Sequence, residues 1–185
     1  MKKLLLTTFV CLMAFFVSEG YAQLVIKPLA GINTTSLRDL DGNDSNIGYQ
    51  FGGNVMFGHH LYIEPGVQWF RREGEFRDNG TDYKTKFKGI RVPLNFGLSL
   101  FEPDAALNVR GFVGGSASFI TDSNGTQNQF DFDDVSWGVG VGAGVDFLMF
   151  FLDLNYEWGI NDIIKEDIKA KPNAFYANFG VRIPL

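Results

Sequence analysis

His59 and His60 are the only histidines in 185 residues, and they are neighbours. Acid–base chemistry would need a serine and a carboxylate within reach, and a metal site would need further ligands. The flanking sequence offers neither and reads as a tight turn. Asp39, Asp41, Asn43, Asp44 and Ser45 open like a calcium loop. Counted from Asp39, the sixth position is Asp44 rather than glycine and the twelfth is Gln50 rather than glutamate, so the EF-hand register fails. Asp131, Asp133 and Asp134 form a second acidic group, suited to divalent ions but without further support. Gly138–Ala143 fits G-x-G-x-x-A, yet a phosphate-binding turn needs a strand before it and a helix beginning inside it. No catalytic residue, no cofactor and no metal is assigned from these motifs.

The charges placed on alternating segments carry more information. Lys27, Glu64, Arg91, Arg110, Asp146, Asp153, Glu157 and Arg182 each stand on the polar side of such a segment. Four are basic and four acidic. Facing lipid at mid-depth, an Arg or Lys would cost ~2–4 kcal/mol. Turned into an enclosed lumen, these groups can pair with one another and with Tyr, Asn and Gln. The expectation is a structural polar network, stabilising only when every member is satisfied.

The elements that must position these charges follow a period of two. In Phe175–Leu185, Phe175, Ala177, Phe179, Val181, Ile183 and Leu185 oppose Tyr176, Asn178, Gly180 and Arg182. That is a strand pattern. The same alternation runs through Ile47–Phe57, Leu61–Arg71, Ile90–Leu100, Leu107–Phe119, Trp137–Phe147 and Phe151–Ile160, and less cleanly through Leu24–Asn33. These eight segments have roughly the 9–11 residues that a tilted strand needs to cross a bilayer. No segment shows a helical period; the best helix candidate is the polar stretch 161–171. Trp69, Trp137, Phe147, Trp158 and Phe175 fall near the ends of the apolar faces, where aromatic rings meet a membrane–water interface.

Connections alternate between long and short. Thr34–Asn46, Thr121–Val135 and Asn161–Asn173 are long, and a polar loop surrounds Arg77–Asp82. Gly58–His60, Glu102–Ala105 and Leu148–Met149 are short. An outer-membrane barrel has long external loops and short periplasmic turns. Lys84, Lys86 and Lys88 share one strand face beyond the apolar part of the fourth segment, at the height of anionic lipid sugars. The alternative, a soluble calyx or sandwich, would put the polar faces in water and should load them with Lys and Glu. They hold Gly, Asn, Ser and Tyr instead.

Lys2 and Lys3, the apolar run Leu4–Val17 and Gly20-Tyr21-Ala22 have the layout of a secretory signal peptide cut before Gln23. Residues 1–22 are thus expected to be removed and 23–185 to form the barrel domain. A transmembrane anchor is the alternative, but the run is short for a ~30 Å hydrocarbon core. Cys11, the only cysteine, lies inside that run, so the exported chain carries no thiol chemistry. Residues 1–22 hold two lysines and one glutamate, so 16 basic and 21 acidic residues become 14 and 20, a net charge of -6. That argues against nucleic acid as a partner. The load of 19 Phe and 22 Gly with hydropathy near zero suits a barrel whose strands average one polar and one apolar face.

With "GVGVGAGVDF", "FFLDLNYEWGI" and the closing "FGVRIPL" added, the chain resembles the Bacteroidetes-type outer membrane protein beta-barrel domain family, labelled PorT-like or porin family. In size it is similar to OmpA/OmpX-like barrels. The fold class expected is all-β: an eight-stranded antiparallel up-and-down transmembrane β-barrel after a signal peptide. The resemblance implies location in the outer membrane, outer-membrane lipid and the assembly machinery as partners, and an envelope or secretion-system protein as a docking partner. It supplies no ligand and no reaction. Such barrels usually close on an aromatic residue, whereas this chain ends Ile183-Pro184-Leu185. A non-enzymatic structural or surface-interaction barrel is the leading expectation. A small-solute channel and, more distantly, a lipid A-modifying enzyme are the alternatives.

Overall fold

A computed structural model of the chain describes residues 24–37, 46–78, 81–101, 105–125, 135–160 and 172–185. The expected signal segment, the acidic groups at 39–45 and 131–134 and the polar stretch 161–171 lie outside these residues. The strands are β1 (Leu24–Leu37), β2 (Asn46–Gly58), β3 (Leu61–Asp78), β4 (Thr81–Ser99), β5 (Leu107–Gly125), β6 (Val135–Phe147), β7 (Phe150–Gly159), β8 (Pro172–Val181) and the short β9 (Ile183–Pro184). Each of β1 to β7 pairs antiparallel with the next, and β1 also pairs with β8, so the sheet closes on itself. The result is an eight-stranded up-and-down barrel with no free edge.

β9 is the tail of β8 after a gap at Arg182. Leu29 pairs with Gly180 and Ile26 with Ile183, one alignment on both sides of the gap. In that alignment the unpaired positions are Pro28 opposite Val181 and Lys27 opposite Arg182, and Pro28 has no N–H to give the ladder. The eighth segment is therefore interrupted rather than continuous from Phe175 to Leu185.

Strand ends differ from the apolar pattern in one direction. The stretch Arg77–Asp82 is mostly strand: β3 runs to Asp78 and β4 resumes at Thr81. β5 continues past Phe119 to Gly125, and β1 past Asn33 to Leu37. All the extensions lie at the end of the long connections, here the loop end; the short turns lie at the opposite, turn end. Beyond the bilayer both faces of a strand can be polar, so the period of two fades while backbone pairing continues.

Alternation sorts the wall into two faces. Ile47, Phe51, Leu61, Val67, Leu94, Phe96, Val113, Val141, Leu152 and Phe179 are all exposed on the outside. An apolar surface of this extent is foreign to a soluble monomer and matches lipid. Lys27, Gln50, Asn54, Glu64, Gln68, Arg91, Asn108, Arg110, Asp146, Asp153 and Asn178 are buried inside.

Candidate functional site

The lumen is the site built by these elements. Lys27 on β1 lies 2.9 Å from Glu64 on β3 and 3.0 Å from Asp153 on β7. Arg110 on β5 lies 2.8 Å from Asp146 on β6 and 2.6 Å from Asp153. Arg182, just past β8, reaches Asp146 at 3.2 Å. Arg91 on β4 is paired with Glu157 on β7. The two halves are joined through amides: Asn54 donates to Glu64 at 2.6 Å, Gln68 to Asn54 at 3.0 Å and Arg91 to Gln68 at 3.1 Å. Ser116 and Tyr176 donate to Glu157 at 2.8 Å and 3.2 Å. One connected chain of contacts thus runs from Arg182 to Glu157, draws in all eight strands and contains the four cations and four anions expected to face inward.

Aromatic rings complete the packing around the cations. Lys27 Nζ stands 4.3 Å from the centre of the Phe151 ring, and the Arg91 guanidinium 4.2 Å from that of Tyr176. Val25, Met56, Tyr62 and Phe112 form an apolar cluster on the inner face. Sequence reasoning missed Val25, Met56 and Phe112, although parity with Lys27, Asn54 and Arg110 would have found them. The inner face of β6 is nearly bare, and its neighbours use the room. A Cβ on Gly138 would lie 2.7 Å from Glu157, and one on Gly140 would lie 3.0 Å from the Asn155 amide oxygen. On Gly142 it would run into the Phe112 ring, and on Gly144 into Asp153. The glycine run is a groove for the side chains of β5 and β7, and no helix begins in it.

Not every lumen group is partnered. Asn33, buried on β1 toward the loop end, has neither amide atom in a protein hydrogen bond, and Gln50 Oε1 is likewise unmet. The outward aromatics take their expected side of the wall: Trp137, Phe147, Trp158 and Phe175 are exposed and Trp69 half-buried. Trp69 does not end a strand, because β3 continues nine residues to Asp78. His59 and His60 form the β2–β3 turn, with rings 4.9 Å apart and His60 Nδ1 3.4 Å from the Ser99 carbonyl. They sit at the turn end, away from the long connections. Among the described residues no group of His, Cys, Asp or Glu is arranged to hold a metal.

The family model described as "Outer membrane protein beta-barrel domain" matches residues 21–165. No curated protein sequence matches the chain. The crystal structure of the outer membrane protein OprG from Pseudomonas aeruginosa is similar, with a TM-score of 0.59 and 14% identity over 89% of this chain and 96% of that one. Ail, the attachment invasion locus protein of Yersinia pestis, gives a TM-score of 0.50 at 13% identity, covering 88% of this chain and 99% of that one. Ail in complex with the heparin analogue sucrose octasulfate gives 0.52 at 14% identity, covering 88% and 100%. At these identities the likeness is one of fold.

Proposed function

Since the chain belongs to the outer membrane protein beta-barrel domain family and resides in the outer membrane, we propose that it is a non-enzymatic structural and surface-interaction barrel. Its wall meets outer-membrane lipid. The assembly machinery inserts it. Its long connections dock an envelope or secretion-system protein. The observation that carries this reading is the filled lumen. An eight-stranded barrel is just wide enough for its own side chains, and here they are locked in a charge-balanced network reaching all eight strands. Side chains held this way support a rigid platform rather than a path. The two histidines, placed at the turn end, also favour a non-enzymatic role over modification of lipid in the outer leaflet.

Planar-bilayer recording tests the proposal. The expected result is no reproducible unitary conductance at any protein concentration that inserts. Steady channels of one size would overturn it in favour of the second reading, passage of small solutes. That reading has one observation behind it: the unmet Asn33 amide and the unmet Gln50 Oε1 would suit a hydrated mouth at the loop end.

A further inference from the structure

We propose that the outward face of β2, β3 and β4 at the loop end binds a phosphate of the outer-leaflet glycolipid, lipid A in chemical class, between Arg71 and Lys88. Two successive rows of residues cross these three strands. In the first, Phe51 pairs with Trp69 and Trp69 with Ile90. In the next row toward the loop end, Tyr49 pairs with Arg71 and Arg71 with Lys88. The wall changes from apolar to cationic in one step of two residues, roughly 7 Å of strand. Among the residues whose side chains are described, Arg71 and Lys88 are the only charged ones on the outward face; the other charged side chains point into the lumen.

Their level and their sign both point to a lipid phosphate. Tyr49 and Phe51 pack on Trp69 with ring centres 5.8 Å and 5.0 Å apart. Such a girdle marks the membrane–water boundary. Arg71 donates to the Tyr49 hydroxyl at 3.4 Å, which holds the guanidinium at that boundary. Both cations also make contacts within the protein; what sets them apart is their position side by side. On its other side Lys88 stands level with Asp122 of β5, and a phosphate seated between the Arg71 and Lys88 positions would add charge-assisted bonds to both cations. Long connections mark the external side of a barrel, where the first phosphates above the hydrocarbon belong to the glycolipid rather than to a phospholipid. The site stands whether or not a solute passes and whatever the loops bind.

Native mass spectrometry of the barrel purified from outer membranes tests the site. The protein is offered bisphosphorylated lipid A, lipid A stripped of its phosphates, and phosphatidylglycerol. The expected result is retention of bisphosphorylated lipid A about tenfold better than either of the others. Arg71→Gln/Lys88→Gln, shown to be folded by its heat-modifiable gel migration, should lose that preference. Equal retention of the three lipids by the natural chain overturns the proposal, as does a preference that survives in the folded double variant. If the double variant does not fold, Arg71→Gln alone is read the same way, and the natural chain's ranking of the three lipids still decides.

Discussion

Arg110 is the residue on which most of the lumen depends. It is fully buried and is the shared partner of Asp146 and Asp153. Arg110→Met would leave one more anion than cation in a closed space, a loss of about 3–5 kcal/mol for breaking a buried pair. The expected readout is a clear drop in the temperature at which the compact band on unboiled gels disappears. Arg110→Met/Asp153→Asn should recover more than half of that loss, because Lys27 keeps Glu64, Arg91 keeps Glu157 and Arg182 keeps Asp146. A double variant no more stable than the single one would mean that packing, not charge balance, sets the cost. The inward side of each charge was legible in the sequence, since alternation and the lipid penalty leave one choice. Partner identity was not. Lys27 meets Glu64 across 37 positions and Asp153 across 126, and such pairings follow from how the closed wall brings strands face to face across the lumen.

β6 shows what the element scale adds. Its alternating glycines could have been a phosphate turn, and only the strand on either side decides otherwise. Inside the barrel they are places where the side chains of β5 and β7 lie down. A Cβ on Gly140 would sit 2.6 Å from the Tyr156 carbonyl oxygen, whereas one on Gly111, outward on β5, meets nothing within 4 Å. Gly140→Leu should therefore slow or abolish folding into detergent or lipid, while Gly111→Leu folds as the natural chain does. Equal folding of both variants would remove the steric account of the glycine run. Strand cores were readable because each has one lipid-facing and one lumen-facing side. Strand ends were not. Residues of opposite charge type stand across from each other at Glu73 and Lys86, at Glu75 and Lys84, and at Arg77 and Asp82. Charged residues at these register positions interrupt the lipid-facing apolar series that marks the strand cores, while the backbone ladder continues.

At the scale of the whole molecule, closure is the property on which the rest depends. A barrel has no edge only if its first and last strands meet, and here that seam is interrupted near its turn end. The β1–β8 ladder ends at Leu29 and Gly180, and the tail resumes it through Val25–Pro184, Ile26–Ile183 and the hydrogen bond from the Leu185 amide to the Leu24 carbonyl at 2.8 Å. The Ile-Pro-Leu ending thus has a structural task apart from any aromatic assembly signal. It seals the turn end of the seam beside Lys27 and Arg182, the two cations nearest the gap. Without it, the backbone of Leu24–Ile26 would face hydrocarbon with unmet polar groups, each costing several kcal/mol. A chain lacking Ile183–Leu185 should convert slowly and incompletely to the heat-resistant form in lipid vesicles, and its folded fraction should melt earlier. Leu185→Phe, which keeps the backbone bond, should fold with the natural chain's yield. If the truncated chain instead closes as fast and melts as high as the natural one, the seam is sealed by β8 alone, and the tail serves only recognition by the assembly machinery.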